Sequence, residues 1–65
     1  MQARNTVRAT RLKLGLTIAE VGVRAECSPN TLSMIELNQH LPRLAVREKI
    51  ARALGVDVTV LFPEA

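Results

Sequence analysis

Aromatic side chains are almost missing from this chain. Phe62 is the single one, with no Trp and no Tyr, so any core must be aliphatic. Cysteine also occurs once, at Cys27. A lone thiol cannot close an internal disulfide, which fits a reducing cytoplasm, and Cys27 reads as a small buried hydrophobe. His40 is the only histidine and has one distant Cys for company, so no metal site and no cofactor are expected. No apolar run approaches the roughly 20 residues of a membrane span. Met1–Thr6 lacks the apolar core of a signal peptide. A Gly-rich phosphate loop is absent, and no Ser-His-Asp or Cys-His order can be placed in a pocket. The carboxylates Glu20, Glu26, Glu36, Glu48, Asp57 and Glu64 are scattered, and caps or solvated faces account for most of them. The chain therefore does not read as an enzyme, and no small-molecule substrate is expected.

What is present points to a compact all-α fold. The 65 residues make a single domain, 1–65, near the lower limit for folding without staples. Hydrophobic residues are 48% of the chain, too many for disorder. Ala, Leu, Arg and Glu are frequent, and β-turn signals are few. The net charge of +3 and pI near 10.0 suit a polyanionic partner.

Residues 17–37, TIAEVGVRAECSPNTLSMIEL, organise the rest. Thr17 and Glu20 have capping-box spacing. Ile18, Val21 and Ala25 recur on one face of the helix they start, expected over 18–25. Ser28-Pro29 is a second start signal: Ser is a favoured N-cap, and Pro at the first helical position loses only an N–H that would be orphaned anyway. Leu32 and Ile35 then mark the buried side of a helix over 29–37, and Glu26-Cys27 is left as the turn. Helices this short depend on packing against each other. Gly22 is the small residue expected to permit a close crossing.

The ordered set Thr17, Val21, Gly22, Ala25, Cys27, Ser28, Thr31, Leu32, Ile35 and Glu36 resembles the helix-turn-helix of the lambdoid phage repressor and Cro family, or XRE family. Arg11, Gly15-Leu16, Pro42, Leu54-Gly55-Val56 and Leu61-Phe62 extend the resemblance over nearly the whole chain. It implies a five-helix repressor-like domain. Outside the central pair, Met1–Arg4 reads as a loose arm, and Asn5 or Thr6 as the cap of a helix running to about Leu14. Val7, Arg11 and Leu14 would share its inner face, and Gly15 would end it in the left-handed region. Leu16 follows into the core. Asn38, which tolerates that region better than most residues, would close the third helix. A fourth helix spans about Leu44–Leu54, with Leu44, Ile50, Ala51 and Leu54 inward. Residues 56–62, VDVTVLF, alternate like a strand. The resemblance implies a short helix capped by Asp57, and the helix is chosen because a lone strand would leave its backbone groups unpaired.

The resemblance further implies a sequence-specific, double-stranded-DNA-binding transcriptional regulator, expected to be a repressor. Its third helix would lie in the major groove and read bases with Pro29, Asn30, Ser33 and Met34. Thr17, Asn38, Arg43 and Arg8 are the expected phosphate contacts, with Arg4 and Lys13 looser candidates. Two positions depart from the family. Ile18 stands where a Gln grips a phosphate, and Glu26 stands where a Gly takes positive φ. Arg11 and Glu36 are expected to form a buried ion pair. Val58, Val60 and Phe62 are expected to stay partly exposed and join two copies into a homodimer. A different use of the same fold is a protein-interaction module, antitoxin-like or a phage or host factor, for which Ile18, Met34 and Leu37 would supply apolar contacts.

Overall fold

The computed structural model describes residues 5–63; the readings made for Met1–Arg4 lie outside them. Five helices follow in order: α1 (Val7–Lys13), α2 (Ile18–Ala25), α3 (Pro29–Glu36), α4 (Leu44–Leu54) and α5 (Val58–Leu61). Helix α2 packs against α4 and α3, α5 closes on α4, and α1 lies against α3. Their meeting point is the aliphatic core: Val7, Val21, Leu32, Ile35, Ile50 and Leu61 are fully enclosed. Residues 56–62 take the helical alternative, with Asp57 Oδ1 accepting from the Thr59 N–H at 2.9 Å as the cap.

Start and stop chemistry sets these bounds. Thr17 Oγ1 accepts from the Glu20 N–H at 3.1 Å, while the Thr17 N–H donates to Glu20 Oε1 at 2.8 Å, so the capping box is complete. Ser28 Oγ accepts from the Thr31 N–H at 3.1 Å, with Pro29 at the first helical position. At their far ends α1 to α4 stop in one way. A residue in the left-handed region (Gly15, Glu26, Asn38 or Gly55, φ 73°, 55°, 60° and 71°) turns the chain. Its N–H and the next bond back to carbonyls of the last turn.

Several inner positions differ from the periodic reading. Leu14 is 51% exposed, because α1 has already ended and the turn at Gly15 brings Leu16 against the core instead. Leu44, the first residue of α4, is 53% exposed, whereas Pro42 just before it is buried. Phe62 was expected at a partly exposed edge, yet it is only 4% exposed, packed into the core as the chain leaves α5. Gly22 serves the turn more than a helix crossing. A Cβ there would lie 2.7 Å from the Cys27 carbonyl oxygen and 3.7 Å from the Pro29 nitrogen.

Candidate nucleic-acid interface

The central element is α3, held at its start by the Ser28 cap, along its inner face and at its C-terminal end. Leu32 and Ile35 anchor its inner face. At its C-terminal end Arg11 and Glu36 meet: Arg11 Nε donates to Glu36 Oε2 at 2.7 Å and Nη2 to Oε1 at 3.1 Å, with the two side chains 9% and 4% exposed. This is the two-pronged geometry in which a planar guanidinium suits a carboxylate. The hydrogen bond to Glu36 is the chief cause raising the Arg11 pKa above its ordinary value, so the cation persists at any relevant pH. Arg11 Nη1 also donates to the Leu16 carbonyl at 2.9 Å, tying the turn after α1 to the same centre.

The outer face of α3 carries the residues expected to read bases. Pro29, Asn30 and Met34 are exposed and Ser33 is half-buried. Leu37, just past the helix, is 57% exposed. Thr17 is exposed at the start of α2, where the capping box occupies its hydroxyl as an acceptor. The same bonds, from the Thr17 backbone first and its side chain second, hold the Glu20 carboxyl below its ordinary pKa. Arg43 is exposed at the N-cap of α4, and Arg8 is exposed on α1. Asn38 is half-buried, and its Oδ1 accepts from Asn5 Nδ2 at 2.9 Å. Ile18 is half-buried against the core, so it spends its side chain on packing.

Glu26 adopts the positive φ that its turn demands, at a cost of about 1–2 kcal/mol for a residue with a Cβ. Its carboxylate lies 3.2 Å from Lys49 Nζ, an exposed pair that offsets little of that. Cys27, half-buried beside it, has its thiol pKa pushed up by burial, which suits a packing role.

Two contributors escape a reading by pattern. Arg47 Nη1 donates to the Pro42 carbonyl and so fixes the loop that presents Arg43. A cation one turn into a helix opposes the helix dipole, and that is the one sign in the sequence that Arg47 has another task. The sequence offers Asn5 or Thr6 as the cap of α1; Thr6 takes the N-cap position with no side-chain cap bond, and Asn5 Oδ1 accepts from the Val7 N–H at 3.0 Å. Asn5 Nδ2 reaches much farther along the chain, to the Ile35 carbonyl at 2.9 Å as well as to Asn38. No local pattern signals that reach.

Residues 7–61 match the helix-turn-helix family of the Cro/C1 type. The chain belongs to the XRE family of helix-turn-helix proteins. It is accordingly a DNA-binding regulator of the XRE type. No curated protein matches the chain. No described helix is long and apolar enough to cross a membrane.

Proposed function

We propose that the protein is a sequence-specific repressor that binds double-stranded DNA as a homodimer and reads the major groove with α3. The observation that carries this reading is the division of α3. Leu32 and Ile35 are wholly enclosed, while Pro29, Asn30 and Met34 lie open on a helix clamped by a cap, a buried ion pair and its neighbours. Asn30 can pair with adenine N6 and N7, Ser33 can bond either base type, and Pro29 and Met34 can touch thymine methyls. That face has no long Arg or Gln, so part of the preference would come from DNA shape. Thr17, Asn38, Arg43 and Arg8 would hold phosphates.

Titration of a labelled duplex from beside the gene, at several salt concentrations, tests the assignment. Arg43→Ala is expected to weaken binding to all sequences alike and to flatten the salt dependence by about one per lost contact in each subunit. Asn30→Ala is expected to cost about 1–3 kcal/mol at one base pair and to relax the preference there. Ile18→Gln is expected to tighten binding by adding a phosphate donor where an apolar side chain now stands. A wild type with no preference over random duplex, unmoved by these substitutions, would defeat the reading. Met34 and Leu37, at 37% and 57% exposure, would then favour a protein partner on this face.

A further inference from the structure

Residues 5 and 6 sit outside every helix, yet they bind the C-terminal ends of two of them. Thr6 donates its N–H to the Leu61 carbonyl at 2.9 Å and its hydroxyl to the Val60 carbonyl at 2.9 Å, at the end of α5. Asn5 works at the end of α3. Its Nδ2 donates both to the Ile35 carbonyl and to Asn38 Oδ1, each at 2.9 Å, across 30 and 33 positions of sequence. Its Oδ1 takes the Val7 N–H. The whole amide is therefore committed, with both donors directed at the turn that ends α3.

That turn is demanding. Asn38 stands at φ 60°, and its N–H and that of Gln39 bond back to Ile35 and Met34. A residue with a Cβ holds that conformation at a cost, so it persists where neighbours define it. Asn5 binds the two groups that set the position of this turn: the carbonyl closing the last turn of α3 and the side chain of the left-handed residue itself. We propose that Asn5 is a positioning residue for DNA binding, placing Asn38 and the end of α3 against the phosphate backbone. This rests on the reading of Asn38 as a phosphate contact.

Asn5→Ser tests it. Serine keeps a short acceptor for the Val7 N–H and adds no charge, but it cannot reach Ile35 or Asn38. Asn5→Asp is a second variant: it keeps the reach and the acceptor and loses both donors. Affinity is read for the operator and for random duplex, at a temperature where circular dichroism finds each variant folded. Amide hydrogen exchange is read alongside. Asn5→Ser is expected to weaken binding roughly tenfold, the factor that 1.4 kcal/mol represents, and Asn5→Asp, which also brings a negative charge toward the phosphates, to weaken it further. The loss should appear on both duplexes, because a phosphate contact carries no sequence information. Exchange should quicken at the Asn38 and Gln39 amides and stay unchanged at Ile50 and Ala51. In an Asn38→Ala background Asn5→Ser should cost little further affinity. Folded variants that bind like wild type would overturn the proposal, since a role in stability alone leaves the affinity of folded protein intact. A full loss persisting without Asn38 would overturn the route through that side chain. A wild type that binds neither duplex is a separate outcome, and it would remove the DNA-binding reading itself.

Discussion

At the scale of single residues, the buried pair of Arg11 and Glu36 has the largest energetic consequence. Two charges taken out of water are tolerated because each has its partner at hydrogen-bond distance and Arg11 also has the Leu16 carbonyl. Removing one partner strands the other, at a cost of about 3–5 kcal/mol. Domains have roughly 0.05–0.15 kcal/mol of stability per residue, or about 3–10 kcal/mol here. Arg11→Met is therefore expected to move the urea midpoint sharply downward and to leave little folded protein at 37 °C. Replacing both, Arg11→Met with Glu36→Leu, should recover much of the loss, since apolar side chains of similar volume leave no charge behind. An Arg11→Met variant with the wild-type urea midpoint would show that the pair contributes nothing.

At the scale of elements, side-chain caps mark the starts of α2, α3 and α5, and left-handed residues mark the ends of α1 to α4. The local rules were legible here because each acts over three or four positions. Thr17 with Glu20, Ser28 with Pro29, Gly15 and Gly55 all lie within one turn of the groups they serve. The caps also predict an acid response. Bonds to Thr17 lower the Glu20 pKa, and bonds to Thr59, the side chain first, lower that of Asp57. A carboxyl with a depressed folded pKa contributes stability above its unfolded pKa, near 4, and loses it as pH falls through the folded value. Stability is thus expected to decline from about pH 4.5 downward, and Glu20→Gln, which keeps an acceptor but cannot titrate, should make that decline shallower. Melting followed from pH 6 to pH 2.5 checks this, and identical acid limbs would count against the capping box as a contributor.

At the scale of the whole molecule, the proposed contact is with a second copy. One helix-turn-helix reaches only a few base pairs, and two-fold pairing on a palindrome doubles the site. The burial of Phe62 narrows the proposed dimer surface to Val60, half exposed, and the half-buried Val58. A surface built on α5, four residues long, falls well short of the roughly 800 Å² per partner of a stable interface, so pairing should be weak in solution and strong on DNA. Two protomers are expected to bind a palindromic site cooperatively. Val60→Glu should abolish that cooperativity with little change in melting temperature, because the side chain is half in water. Sedimentation with and without duplex decides the matter, and one protomer per duplex at every concentration would exclude the dimer.

The sequence by itself determined the helical class, the bounds of α2 and the start of α3, the enclosed positions Val21, Ala25, Leu32 and Ile35, and the left-handed turns at Gly15 and Asn38. Each rests on capping or periodicity within a few residues. Tertiary structure alone decided the rest. Leu14 and Leu44 lie at helix ends, where the course of the chain rather than helical phase sets exposure, and both face water. Phe62 turned inward because the core lay within its reach after α5 ended. Gly22 proved necessary for a carbonyl five residues later, a contact that exists only once the turn has closed. Asn5 looked like a cap in the sequence, and only the folding of α1 against α3 brought its donors to Ile35 and Asn38, because bonds across 30 or more positions leave no periodic trace.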